Sequence, residues 1–194
     1  MSEFTPYAST PAEQRRKQAL EHQARGQTDV SRWADERNLS RGWDERAQFV
    51  ASLVNPPARV IDLGCGAMAL ERELREGIVY IPADIVARDG RTHIFDMNSG
   101  SLPDVPADVA VALGLLEYAH DPKRTFSDLA SKWPRLILSY HPVDVSGAGT
   151  DRLAKGWFTE LAEQEIVRLG RECGYRLDAL YCLKTDRIYD FALD

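Results

Sequence analysis

Residues 59–66 read Arg-Val-Ile-Asp-Leu-Gly-Cys-Gly, an apolar strand that ends in an acid and then turns on two glycines one residue apart. Val60 and Ile61 are β-branched and Leu63 is apolar, so the strand reads as buried. Gly64 and Gly66 let the backbone take positive φ and approach a ligand closely. Asp62 stands at the strand's carboxyl end, and in open α/β sheets ligands bind at that end, where the strand order reverses. The segment therefore predicts an α/β fold with a nucleotide-type pocket at this turn.

The remaining pattern agrees with that constraint. After Pro57 strands and helices alternate, which predicts parallel pairing through crossover connections. Strands are expected at Val60–Leu63, Ile78–Ile81, Thr92–Phe95, Val109–Leu113 and Leu136–Leu138. A closing antiparallel pair is expected at Tyr175–Leu183 and Ile188–Phe191 around the turn Lys184–Arg187. Helices are expected at Met68–Arg75, from Asp121-Pro122 onward, where Asp caps and Pro fits the first turn, and at Thr159–Cys173. Residues 97–106 and 143–150 read as loops. Ahead of this domain, residues 1–10 read as a mobile arm and 11–57 as a helical extension. The extension comprises Pro11–Arg25 and a second stretch from Val30 to Val54 that Gly42 can divide. It is either a solvated helical face laid against the domain or a cover over the site. Residues 58–194 form the main domain.

Composition narrows the partners. A length of 194 residues suits one domain. The net charge of −6 disfavours non-specific binding to nucleic acid or an anionic membrane. No apolar run is long enough to span a bilayer, and the polar start lacks the build of a signal peptide, so a cytosolic protein is expected. Cys65, Cys173 and Cys182 are odd in number with no Cys-x-x-Cys pairing, which predicts free thiols and no metal site.

Three acids, Asp62, Asp84 and Asp96, each follow one of three successive expected strands and so share one rim of the sheet. With Asp62-Leu63-Gly64-Cys65-Gly66, that spacing resembles the class I S-adenosylmethionine-dependent methyltransferases. The resemblance continues through Leu113-Gly114-Leu115-Leu116-Glu117-Tyr118-Ala119-His120-Asp121-Pro122. It ends at Trp157-Phe158-Thr159 before a helix closing on Cys173-Gly174-Tyr175, which looks like the small-molecule branch. It implies a Rossmann-like seven-stranded, mostly parallel sheet with helices on both faces, and S-adenosyl-L-methionine as cofactor. Carried over residue by residue, Gly64 and Gly66 would lie against the methionine and ribose portions. Asp62 would hold the turn or reach the ammonium through water. Asp84 would accept both ribose hydroxyls. Asp96 would accept the adenine amine beside Met97, and Leu113 and Gly114 would line the methionine portion. Two places depart from the pattern: Met68 stands where many members have another glycine, and Ser131-Lys132-Trp133-Pro134 stands where a Pro-Gly-Gly turn is usual.

Methyl transfer from a sulfonium needs mainly alignment, plus a base when the acceptor must lose a proton. The candidates on the rim are His141, His120, Tyr118, Tyr140 and Glu117, the first three being the catalytic expectation. Trp33, Trp43 and Trp157 are either anchors or walls facing the sulfonium. Arg41 and Arg46 are either solvated or partners of a carboxylate. The expected activity is methylation of an O or N atom of a small metabolite, sugar or natural-product intermediate. The alternatives are a non-catalytic cofactor-binding or scaffold protein with this fold and, from the glycine turn alone, a nicotinamide-dependent oxidoreductase. Oligomeric state is not legible.

Overall fold

Each central strand carries apolar side chains on both faces, so the sheet has to be covered twice. A computed structural model describes residues 6–39, 43–146 and 150–194. Its strands are β1 (Ala58–Leu63), β2 (Ile78–Asp84), β3 (His93–Ile94), β4 (Val109–Leu113), β5 (Arg135–Tyr140), β6 (Tyr175–Leu183) and β7 (Asp186–Leu193). They form one sheet in the order β3-β2-β1-β4-β5-β7-β6. Pairing from β3 across to β5 is parallel, and β7 runs antiparallel to β5 and to β6. This is the seven-stranded, mostly parallel sheet that the sequence predicts. The order reverses between β1 and β4, which opens a crevice above their carboxyl ends.

The helices are α1 (Pro6–Ser9), α2 (Ala12–Ala24), α3 (Val30–Ala34), α4 (Asp44–Ser52), α5 (Ala69–Glu73), α6 (Pro122–Ala130), α7 (Val143–Ser146) and α8 (Glu163–Glu172). On one face Ile61, Ala110, Leu136 and Leu138 meet Phe126 and Leu129 of α6 and Ile166 and Leu169 of α8. On the other, Val60, Val109, Val111 and Ile137 meet Val50 and Ala51 of α4 and Leu70 of α5. Asp121 caps α6 by accepting the Arg124 N–H, with Pro122 in the first turn. In α8, Gly170 lies flush on β7, where an added Cβ would stand 2.7 Å from the Phe191 ring.

Local chemistry explains where the elements depart from expectation. β2 continues through Pro82 to Asp84: Ala83 O faces β1 and accepts the Gly64 N–H. Pro82 therefore faces the β3 side, where only Ala83 and Asp84 pair, and its missing N–H costs no ladder bond. The stretch from Val30 to Val54 is broken near Asp35, whose carboxylate accepts the Arg37 N–H and starts a separate 3-10 turn at Glu36–Asn38. Gly42, the expected break, lies outside the described residues, as does Arg41. Within the expected arm, Pro6–Ser9 form a helical turn. There the Tyr7 N–H donates to Asn38, and the Tyr7 ring lies 3.7 Å from the Arg32 guanidinium carbon. Val143–Ser146 are helical where a loop is expected, and α8 starts at Glu163 rather than Thr159. At the Ser-Lys-Trp-Pro departure Trp133 is buried and donates its indole N–H to Val105 O at 3.0 Å, replacing a glycine turn with a packed anchor.

Candidate functional site

The turn after β1 is built by backbone geometry. Gly64, Gly66 and Met68 all have positive φ, at 74°, 49° and 53°. Glycine takes this region without cost, whereas Met68 holds it against the Cβ penalty of about 1–2 kcal/mol. The Gly64 and Cys65 N–H groups donate to Ala83 O, and the Gly66 N–H donates to Asp84 Oδ2 at 2.8 Å. The turn is thereby stitched to the end of β2.

One cavity of about 900 Å³, counted out into its open mouth, sits over this turn. Sheet order fixes how its walls follow one another. From the β3 side come Phe95, Asp96 and Met97; from β2, Asp84, Ile85 and Arg88; from β1, Gly64 and Gly66; from β4, Leu113, Gly114 and Leu115; and from the start of β7, Asp186. Trp33, Leu39, Trp43 and Arg46 of the N-terminal region, with Glu117, Tyr118 and Trp157, complete the wall. Asp96 Oδ1 accepts the Thr28 hydroxyl at 2.8 Å and the Asn98 N–H at 2.9 Å. Asp84 Oδ1 accepts the Val86 N–H at 3.0 Å and Arg88 Nη2 at 3.2 Å. A carboxylate offers about four acceptor positions, so with Gly66 on Oδ2 one position stays open, and it is on Oδ2. Arg46 reaches across β4, donating to Leu113 O at 3.3 Å, with Asp186 at 3.6 Å. Its guanidinium lies against the glycine, 3.1 Å from where a Cβ on Gly114 would be.

A family model described as a methyltransferase domain matches residues 33–179. The chain belongs to the class I S-adenosylmethionine-dependent methyltransferase family. Among solved structures, this methyltransferase-family chain is similar to CalO1, a methyltransferase in calicheamicin biosynthesis in its S-adenosylhomocysteine-bound form. The likeness has a TM-score of 0.64 at 16% identity, covering 97% of this chain and 70% of that one. NcsB1, an O-methyltransferase from neocarzinostatin biosynthesis in complex with S-adenosylmethionine and 2-hydroxy-5-methyl naphthoic acid, gives 0.65 at 15% identity, covering 95% and 70%. The 4+2 cyclase SpnF gives 0.57 at 19%, covering 73% and 61%. These likenesses establish the fold alone, and the cyclase shows that the fold also carries other chemistry. No curated protein matches the chain by sequence.

Of the site residues expected in this methyltransferase, the cavity wall gathers Gly64, Gly66, Asp84, Asp96, Met97, Leu113, Gly114 and Tyr118. Asp62 lies beneath it, buried, accepting the Tyr80 hydroxyl at 2.8 Å. Burial pushes its carboxyl up to about 7, against the Tyr80 hydrogen bond. Neither His120 nor His141 belongs to the wall. His120 stands edge-on to Phe158 with Nε2 buried and unpartnered, while His141 Nδ1 lies 3.4 Å from Asp186. Burial lowers the pKa of both imidazoles. Tyr140 is spent as a hub: its hydroxyl takes Arg152 Nη2 at 2.8 Å and the Leu161 N–H at 3.1 Å, beside Thr159. Glu117 differs from these. It is 2% exposed, accepts the His141 backbone N–H on Oε1 at 3.1 Å, and has no partner on Oε2.

Sequence reasoning missed Arg88, Asp186, Leu39 and Thr28 at the site. Arg88 carries a faint signal, four residues after an acid at a strand end. Asp186 opens β7 and Thr28 lies in the link between α2 and α3, and no periodicity marks either. Among the described residues no group of three His, Cys, Asp or Glu side chains is placed to hold a metal ion, and no helix is long and apolar enough to cross a membrane.

Proposed function

We propose that this chain binds S-adenosyl-L-methionine in the cavity above β1 and β4 and transfers its methyl group to an O or N atom of a small molecule in the cytosol. The observation that carries this reading is the ordered rim of one cavity: Asp96 and Met97, then Asp84, then Gly64 and Gly66, then Leu113, Gly114 and Arg46. The residues fit the cofactor in polarity and in order. Asp96 keeps Oδ2 for the adenine amine beside Met97. The open position on Asp84 Oδ2 accepts one ribose hydroxyl, with Arg88 able to donate to the other oxygen. The glycine turn admits the backbone of the methionine portion, and Arg46 offers its planar fork to the carboxylate. The cofactor supplies an activated methyl group with its own leaving group.

The protein's share is to align the acceptor and to take its proton when one must leave. Among the described wall residues Glu117 is the group suited to that second task, since Oε2 is unpartnered and burial pushes its carboxyl up to about 7. The aromatic wall of Trp33, Trp43, Tyr118 and Trp157 favours a small, flat or cationic acceptor over a macromolecular one. The natural-product pathways named for CalO1 and NcsB1 support the same class. Isothermal titration with S-adenosylmethionine and with S-adenosylhomocysteine tests the assignment. Saturable, one-to-one binding of both is expected, with NADH inert, and absence of binding at millimolar concentration overturns it. Release of S-adenosylhomocysteine dependent on an added hydroxylated or amine acceptor then separates an enzyme from a scaffold.

A further inference from the structure

Glu117 is a carboxyl whose protein partners satisfy only one of its two oxygens. Oε1 is committed to the His141 backbone N–H, Oε2 is buried and unpartnered, and Glu117 is one of the residues of the cavity wall. The charged and titratable groups around it come from every neighbouring element. Arg46 reaches in from α4, Asp186 from the start of β7, and Arg152 and Lys155 from the segment around the 3-10 turn Leu153–Lys155. Tyr140 and His141 come from the end of β5. None of these bonds Oε2. Arg152 is used up on Thr159 O, His141 O and the Tyr140 hydroxyl, and Arg46 is shared between Leu113 O and Asp186.

A buried carboxylate with one oxygen unpartnered is poorly solvated despite the cations around it, and the acid form relieves that cost by holding a proton. Burial accordingly pushes the group up to about 7, with Asp186 acting in the same sense and Arg46 and Arg152 opposing. Cofactor and product differ at one place. The sulfonium carries a positive charge that the thioether lacks, and both share the amino-acid, ribose and adenine portions. A carboxyl poised in the cavity wall near neutrality responds to that difference by releasing or keeping its proton.

We infer that Glu117 is the residue by which the pocket distinguishes the sulfonium cofactor from its thioether product, being ionised with the first bound and protonated with the second. The inference rests on the cofactor assignment proposed above. It places the proton of the reaction as well. The acceptor's lone pair forms the bond to the methyl carbon, the carbon–sulfur electron pair returns to sulfur, and the acceptor's proton moves to Glu117 Oε2. Positive charge leaves sulfur and arrives on the carboxylate, so the cavity's net charge is unchanged across the transfer. Below about pH 7 the carboxyl keeps that proton through product release and gives it to solvent when the next cofactor binds.

The test needs no acceptor. Titrations of S-adenosylmethionine and S-adenosylhomocysteine into the full chain near pH 6, each in two buffers of different ionisation enthalpy, count the protons exchanged on binding. S-adenosylmethionine is expected to release most of one proton more than S-adenosylhomocysteine. Its affinity should rise by up to about tenfold per pH unit toward pH 7 while that of the product does not. In Glu117→Gln, whose amide oxygen still accepts the His141 N–H, the extra proton should vanish and the preference for cofactor over product should fall by about tenfold or more. Equal proton counts for the two ligands in the unmodified protein overturn the inference without any variant, and an unchanged difference in Glu117→Gln overturns the choice of residue. Failure of both ligands to bind overturns the cofactor assignment instead.

Discussion

Removing the Asp84 carboxylate should act on folding and on binding at once, and the structure says by how much. Asp84 and Arg88 are each 7% exposed in their side chains, 3.2 Å apart, and Asp84 also takes two backbone N–H groups, from Gly66 and Val86. Asp84→Ala leaves a buried guanidinium unpaired and two amides without their acceptor. Breaking one side of such a pair costs roughly 3–5 kcal/mol. Arg88→Met on its own costs less, because Asp84 keeps its backbone donors. In the double variant no buried charge is left behind, so the two changes should couple by about 2 kcal/mol or more in a urea-denaturation cycle. Binding loses the single open position on Asp84 Oδ2. A charged hydrogen bond is worth about 1.5–3 kcal/mol, which is about tenfold to a hundred-and-fiftyfold in the Kd for S-adenosylhomocysteine. Titration is carried out on protein shown to be folded by circular dichroism. Additive effects of Asp84→Ala and Arg88→Met on stability, with product affinity unchanged, would falsify both the pairing and the ribose assignment.

Arg46→Met should weaken S-adenosylhomocysteine binding by about tenfold or more but leave 5′-methylthioadenosine, which lacks the carboxylate, within about twofold; equal losses for the two would remove Arg46 from the carboxylate. Asp62 is held protonated by burial up to about 7, so the native state keeps a proton that the unfolded chain has released, and the stability this confers below about pH 4 is lost as pH rises through 7. Asp62→Asn should erase that group's share, roughly 4 kcal/mol at most between pH 4 and 8, and parallel urea midpoints for both proteins across that range would refute it. Gly170→Ala drives a Cβ against the buried Phe191 ring and should cost about 1–3 kcal/mol, a fall of several degrees in Tm with cofactor affinity retained; an unchanged Tm would show that α8 can lift off β7.

What was legible in the chain follows from how each residue acts. β1 and β4 are short apolar runs whose turns are set by local backbone chemistry, so Gly64, Gly66 and Gly114 could be placed from the residues around them. The acids at the ends of β2 and before Met97 were legible for the same reason: the resemblance spaced them by strand. Their hydrogen-bond occupancy was not. That Asp84 keeps one open acceptor position depends on Arg88 folding back over four residues. That Asp96 is held by Thr28 depends on a contact across 68 positions of sequence. The histidines stood out because an unperturbed imidazole titrates near neutrality. Burial reverses that argument here. It lowers His120 and His141 and raises Glu117 into the range they leave.

The N-terminal region turns out to do two physically distinct things. α4 contributes Val50 and Ala51 to the core beneath the sheet, so it is part of what makes β1 and β4 a stable floor. Trp33, Leu39, Trp43 and Arg46 then rise from the same stretch into the wall above Gly66 and Gly114, and Thr28 fixes the orientation of Asp96. The glycines of the turn and these N-terminal wall side chains are therefore supplied by different parts of the chain. α4 joins floor and wall at this end, since Arg46 sits on that helix, four positions before the buried Val50, with its guanidinium at the β4 end of the cavity. Any displacement of α4 against the sheet moves the Arg46 guanidinium and the core contact together, so the shape of the cavity at its β4 end and the local stability rest on one packing interface.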